Sequence, residues 1–331
     1  MDILPARPAS DESFDFLKSQ LNECVRQHPE CTNREESRAP KRLLYVGSID
    51  EPPHLLRSDS HSRKRYAALS YCWGGDQALK LTKHTEKALS NSISWDDLPV
   101  LLRDAIVVCR RLQIDYLWID SLCITQGDDE REEWRNEAVH MADIYGNAFV
   151  TLFSASCSSP RESFLQPCNT IVTNDILVAR RSHPKGLHTN IHSENSLDPL
   201  EERAWAFQEF HLSPRVIAYT SNEIQWHCQR LNACEPGCAE TVFETVSIQE
   251  YDDENRMFLR NHLALTAQTL DTTELFRMWH RLVERYSKCQ LTFPGDRLVA
   301  LAGLTSKFHS RSKSEYIAGL WKDNLIEDLL W

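Results

Sequence analysis

The stretch Tyr116-Leu-Trp-Ile-Asp120-Ser-Leu-Cys123-Ile-Thr-Gln126 decides how this chain is read. Tyr116 to Asp120 is apolar and aromatic until it ends abruptly in a carboxylate. An acidic loop follows, Gly127-Asp-Asp-Glu130, and then a helical pattern. An apolar strand, a polar tip and a helix, in that order, present a site at the carboxyl edge of a sheet in α/β proteins.

The flanking segments repeat the alternation. Tyr66-Ala-Ala-Leu-Ser-Tyr71 reads as a buried strand closed by a tight turn at Trp73-Gly74-Gly75. Leu98 to Leu112 reads as a helix. Leu98, Leu102, Ala105, Cys109 and Leu112 share one face, and Pro99 suits the first turn. Asp128 to Tyr145 predicts a second helix with acids in its first turn, and Ala148 to Phe153 a third strand. Strands alternating with helices predict an α/β fold with a parallel sheet flanked by helices. Ala204 to Leu212 reads as a short helix. Arg215–Tyr219 and Glu223–His227 then make a small β-hairpin across Ser221-Asn222. Beyond about residue 240 the patterns are helical, as in Leu275 to Tyr286, and predict a helical C-terminal extension. Ahead of the core, a helix over Ser13 to Val25 and a short strand at Leu43–Val46 form a preface. The expected division is residues 1–62, 63–228 and 229–331. The chain ends at Leu329-Leu-Trp331 without a polar tail, as a cut or naturally short protein would.

Composition narrows the function classes. The net charge is -11, and Arg63-Lys-Arg65 is the longest basic run, so nucleic acid is not expected as the main partner. No apolar run approaches the roughly 18 residues of a membrane span. The start, Met1-Asp-Ile-Leu-Pro5, lacks a basic and then apolar leader pattern. The expectation is a cytoplasmic protein with no transmembrane segment. Its eleven cysteines, mostly within apolar or helical patterns, read as reduced thiols.

Several residues are candidates for chemistry. Glu137 lies near the apolar stripe of its helix, formed by Trp134, Ala138, Met141 and Tyr145. A carboxylate there is costly unless paired or used, so it is either a catalytic acid or one half of an ion pair with Arg103 or Arg110. Asp120 either binds a ligand at the strand end or caps the following loop. Cys123 reads as a buried inert thiol rather than a nucleophile. Arg203-Ala-Trp205-Ala-Phe-Gln208-Glu209 either clasps a ligand or forms an internal polar network. Cys24-x3-His28-x2-Cys31 has a zinc-like rhythm that His227, Cys228, Cys234 and Cys238 could complete. Neither group shows a paired Cys-x2-Cys, and no metal is expected on this signal alone. Dinucleotide, phosphate-loop, zincin and nucleophile-elbow signatures are missing.

Taken together, the blocks resemble the fungal heterokaryon incompatibility (HET) domain proteins. The resemblance rests on Tyr66-Ala-Ala-Leu-Ser-Tyr-Cys-Trp-Gly74, Leu98-Pro99 with Asp104-Ala105, and Tyr116 to Gln126. It continues with Trp134-x2-Glu137-Ala138-x2-Met141-x2-Ile144-Tyr145 and Arg203-x-Trp205-x2-Gln208-Glu209, then Leu212-Ser213-Pro214-Arg215. Cys24, His28 and Cys31 resemble the family's preface, and Leu291–Gly303 and Tyr316–Trp321 its helical extension. Gln113-Ile114 departs from the pattern where glycine is usual, and Gly127 where an acid is usual.

The resemblance implies a role in fungal non-self recognition and programmed cell death. It also implies a distant likeness to TIR domains, in which a glutamate on a later helix cleaves NAD. Trp134-x2-Glu137 before Phe149–Phe153 holds a comparable place. On that basis Glu137 and Asp120 are the expected catalytic residues. Tyr71, Trp73, Arg203, Trp205, Gln208 and Glu209 are the expected ligand-binding residues, and NAD is a candidate substrate. The alternatives are a non-enzymatic module acting by self-association or partner docking, and an enzyme recruited to a fungal biosynthetic pathway.

Overall fold

The computed structural model describes residues 8–31, 39–48, 50–58, 64–75, 79–127, 131–167, 197–221, 223–235, 241–242, 271–317 and 319–330. The main sheet is built from β1 (Arg42–Tyr45), β2 (His54–Arg57), β3 (Tyr66–Ser70), β4 (Tyr116–Trp118), β5 (Val150–Phe153), β6 (Arg215–Tyr219), β7 (Ile224–Cys228), β8 (Leu231–Cys234) and β9 (Thr241–Val242). Its nine strands run in the order β2-β1-β4-β3-β5-β6-β7-β8-β9.

The parallel part is the central run β4-β3-β5-β6. It is buried on both faces, as parallel sheets are, and Ala67, Ala68, Leu69, Leu117, Val150 and Leu152 are fully enclosed. On either side the pairing turns antiparallel, through β1 with β4 and β6 with β7. The expected parallel sheet is therefore the centre of a mixed one. The expected hairpin, β6 with β7, extends this same sheet.

Among the described residues the helices are α1 (Asp11–Gln27), α2 (Glu86–Asn91), α3 (Val100–Arg111), α4 (Asp120–Cys123), α5 (Arg131–Asn147), α6 (Ala204–Leu212), α7 (Thr272–Ser287), α8 (Ala302–Ser312) and α9 (Leu325–Leu330). From β3 the chain crosses to β4 through α3, then returns past β3 to β5 through α5. Because such crossovers are right-handed, α3 and α5 cover opposite faces. Contacts agree: α5 packs on α6 and α8. On the other face, the Arg111 guanidinium of α3 stacks 4.2 Å from the Phe14 ring of α1. Two tyrosines lock α5 to the central strand. The Tyr66 hydroxyl donates to the Ile144 carbonyl at 2.6 Å, and the Tyr145 hydroxyl to the Leu69 carbonyl at 3.0 Å.

Some local expectations shift. Pro99 is the N-cap of α3 rather than part of its first turn. The apolar run that starts at Tyr116 leaves the strand after Trp118, and Asp120 opens the single turn α4. Tyr316–Trp321 belongs to no helix: β10 (Tyr316–Ile317) and β11 (Leu320–Trp321) form a separate hairpin. Gly319, at φ +103°, allows its turn.

Two glycine-related positions yield measurable consequences. Gln113 follows α3 in the left-handed region at φ 58°, the conformation that glycine adopts freely. Gln113→Gly is expected to keep or raise stability by up to ~1 kcal/mol, read as the urea midpoint. A Cβ at Gly303 would meet the Ala142 Cβ at 2.6 Å and the Leu212 Cδ1 at 2.8 Å. Gly303→Ala is expected to lose about 1–3 kcal/mol in the same measurement, despite the better helix propensity of alanine.

Candidate functional site

The order of the four parallel strands puts the first of them, β3, between the second and the third. The chain leaves β3 toward one side and later returns to the other. In open α/β sheets ligands bind where the direction of winding reverses, outside the carboxyl ends of the strands. The segments that reach this edge are the continuations of β3 and β4 and the start of α6.

Ser70 ends β3, and its hydroxyl donates to the Glu209 Oε2 of α6 at 2.5 Å. The Ser70 carbonyl accepts from the Ser154 hydroxyl at 3.1 Å, which binds the end of β5 to the same point. The next residue, Tyr71, is buried, and its hydroxyl donates to Ser121 Oγ at 2.8 Å. The indole N–H of Trp73 donates to the Asp120 Oδ2 at 2.7 Å, while Asp120 Oδ1 accepts from the Ser121 backbone N–H at 2.7 Å. Asp120 thus accepts both from the amide of the next residue and from a tryptophan of the neighbouring loop. Arg203, just before α6, donates to the Tyr71 carbonyl at 3.0 Å. Gly74, at φ +63°, turns the chain tightly against Ser159, whose Cβ would lie 2.6 Å from any side chain placed there.

The charges are held in an unusual state. Burial pushes the Glu209 carboxyl up to about 7; the Ser70 hydroxyl and Arg203 pull against this, and the Asp120 charge adds to it. Burial also raises Asp120, against the opposing effects of the Trp73 N–H, the Ser121 N–H and Arg203. The Tyr71 phenol is driven well above its usual value by burial and then by the Asp120 charge. Two carboxyls raised by the same burial, next to one guanidinium, are a feature of functional sites and of internal ion networks alike.

The sequence candidates separate into groups. Tyr71, Trp73, Asp120, Arg203 and Glu209 come together, with Trp73, Asp120 and Arg203 half-exposed at the rim and Tyr71 and Glu209 buried below. Gln208 faces elsewhere: its Oε1 accepts from the Gly303 backbone N–H at 2.7 Å and ties α6 to α8. Trp205 reaches Asp296 through its indole N–H at 3.4 Å. Glu137 is half-buried on α5. Eight residues, ~12 Å of helix rise, separate it from Tyr145 in the direction of the carboxyl edge. Among the described residues no hydrogen bond joins it to Asp120, Tyr71 or Arg203. Its suggested partner Arg110 donates from Nη2 to the Val46 carbonyl at 2.7 Å. Cys123 is enclosed, and burial pushes its thiol up to about 12, which leaves it inert at neutral pH. Cys24, His28 and Cys31 lie elsewhere, next to Cys228. Cys228 pairs with Arg215, the first residue of β6, and so marks the amino edge of the parallel strands. Eight described cysteines are free thiols, but Cys234 is disulfide-bonded, a departure from reduced thiols throughout.

Sequence reasoning passed over Ser70, Ser121, Ser154 and Tyr145. The available signal was Ser70 itself, the one polar residue ending an apolar strand. Tyr145 read as part of an apolar stripe, and nothing in its spacing showed that its hydroxyl would meet the sheet.

These features define an α/β protein with a polar cluster at the carboxyl edge of its central strands. Residues 66–209 match the family model described as Heterokaryon incompatibility protein (HET), a span that begins with β3 and ends at Glu209. That span is a HET domain. No curated protein and no solved structure matches the chain. Among the described residues no helix is long and apolar enough to cross a membrane.

The raised Glu209 gives a pH signature. Its folded-state value, about 7, lies above the ordinary value of 4.5, so the folded chain holds this proton more tightly than the unfolded chain between those limits. The contribution is fully present below about pH 4.5 and is lost as pH rises through about 7. Glu209→Gln removes that loss. Its stability relative to the parent is expected to rise between pH 5 and pH 8 by on the order of 1–3 kcal/mol, read by urea unfolding at both pH values. Glu201, which burial also pushes up to about 7, contributes equally to both proteins and cancels.

Proposed function

We propose that this chain acts in heterokaryon incompatibility as an effector of fungal non-self recognition and cell death, and that its HET domain hydrolyses NAD at the carboxyl edge of the sheet. The observation that carries this reading is the meeting of Asp120, Glu209, Arg203 and Trp73, from three separate segments, where the winding of the parallel strands reverses. Nucleotides favour that position in open α/β sheets. The half-exposed Arg203 suits a phosphate, and the Trp73 ring suits a stacked base or nicotinamide. Asp120 would orient the ribose hydroxyls. Glu137, on the helix that rises from the same edge, would stabilise the developing ribosyl cation, in keeping with a distant likeness to TIR domains. In this reading residues 63–228 carry the activity, and residues 1–62 and 229–331 support it.

A second reading has its own observation. Each polar group at the centre of the cluster already has an internal partner: Ser70 with Glu209, Tyr71 with Ser121, Trp73 with Asp120, and Arg203 with the Tyr71 carbonyl. Such a network also suits a rigid module that signals by self-association or by docking a partner.

Release of nicotinamide from NAD by the purified chain, across a range of protein concentrations, separates the two. Hydrolysis is expected, with Glu137→Gln and Asp120→Asn each lowering turnover by ~100-fold or more while keeping the parent circular dichroism. No release at any concentration, or full turnover in both variants, would overturn the enzymatic reading. Undiminished cell death from both folded variants would favour the interaction module.

A further inference from the structure

Away from the carboxyl edge, four side chains from two distant parts of the chain meet in one buried knot. Cys24 lies in the last turns of α1, His28 caps it, and Cys31 ends the 3-10 turn that follows. Cys228 ends β7. All four are buried, and their sulfur and nitrogen atoms lie within 4.8 Å of one another. The Cys228 Sγ and His28 Nδ1 are 3.4 Å apart. Ligands on a tetrahedral zinc ion stand ~3.5 Å apart for sulfur and nitrogen and ~3.8 Å for two sulfurs, given Zn–S of ~2.3 Å and Zn–N of ~2.0 Å. The knot is thus within a small contraction of a tetrahedral site.

We propose that Cys24, His28, Cys31 and Cys228 bind one structural zinc ion that clamps the N-terminal helix to the amino edge of the sheet. The groups around the sulfurs are those that metal-bound thiolates need. Cys228 Sγ accepts backbone N–H groups from Arg230 at 3.4 Å and Leu231 at 3.2 Å, and Cys31 Sγ accepts that of Gln229 at 3.3 Å. The β7–β8 turn therefore wraps its amides around two of the three sulfurs. Cys24 Sγ accepts from the Arg215 Nε at 3.2 Å. Three thiolates and a neutral imidazole around a divalent cation carry one net negative charge. The buried guanidinium of Arg215 neutralises it, which gives that arginine a physical reason to lie inside the protein.

Four protein ligands leave no open position, so the site is structural. It also stands at the amino edge of the parallel strands, opposite the acid and arginine cluster. The ion would close a loop from Cys31 to Cys228 and hold α1 where its Ser13 hydroxyl meets Glu235 beyond β8, at 2.5 Å.

The full chain, purified without added metal or chelator, is expected to carry about one zinc per molecule by plasma mass spectrometry, with Cys31→Ser and Cys228→Ser near background. Arg215→Gln, which keeps all four ligands, is expected to weaken zinc binding by about 10- to 100-fold in competition with a chromophoric chelator. Because a cysteine variant can misfold, a second measurement uses the unaltered chain. After zinc removal, cobalt(II) should restore sulfur-to-metal charge-transfer absorption and the visible bands of a tetrahedral ion. Substoichiometric zinc in the unaltered chain, zinc retained in Cys228→Ser, or cobalt absorption without thiolate and tetrahedral bands would overturn the proposal.

Discussion

Everything in this molecule hangs on the two-sided pairing of the Tyr66–Ser70 strand. It bonds in parallel to Tyr116–Trp118 on one side and to Val150–Phe153 on the other. A strand so placed has no free edge and no solvent face, so its side chains must be small or fully apolar where helices press on it. Ala67, Ala68 and Leu69 meet that demand. The polar residues at its carboxyl end, Ser70 and Tyr71, are then carried into the interior next to the loops of both neighbours. A buried hydroxyl without a partner costs about 1–3 kcal/mol. Glu209 of α6 and Ser121 of α4 accept those two hydroxyls, and Ser154 donates to the Ser70 carbonyl.

That arrangement leaves a strain of charge rather than of geometry. Asp120, Glu209 and Arg203 lie close enough to act on one another's charge, with Glu209 buried and the other two half-buried. Each carboxyl is driven toward its neutral form by burial, and the single guanidinium offsets only part of this. The opposite edge shows a different solution. There the polar atoms brought together are sulfurs, an imidazole and the Arg215 guanidinium.

Much of the core was legible because its signals are local. The apolar runs at Tyr66 and Tyr116, and the face formed by Leu102, Ala105 and Cys109, follow from periods of two and 3.6 residues that chain geometry imposes. The expected strands, helices and hairpin appear within a few residues of their predicted bounds. The failures are local signals overridden by tertiary demands. Tyr316–Trp321 has helix-compatible residues, but Gly319 adopts a positive φ and the segment folds back as a hairpin. His54–Arg57 and Leu231–Cys234 are too short to show a period, and they become strands because neighbouring strands offer unpaired edges. The glycine-like conformation of Gln113 explains how a glutamine stands where the family resemblance leads one to expect glycine.

The site divides along the same line. By itself the sequence determined the α/β class, the HET-domain blocks and the positions of Asp120, Arg203 and Glu209 in motifs. Covalent order and side-chain chemistry are enough for that. Only the tertiary structure decided which of these residues meet. It sent Gln208 to the Gly303 amide while its neighbour Glu209 went to Ser70, because successive positions on a helix point about 100° apart. It likewise brought Cys228 to Cys24, His28 and Cys31 across nearly two hundred residues of chain. No local spacing encodes such a meeting, because it depends on the order in which nine strands pair and on the right-handed crossovers that connect them.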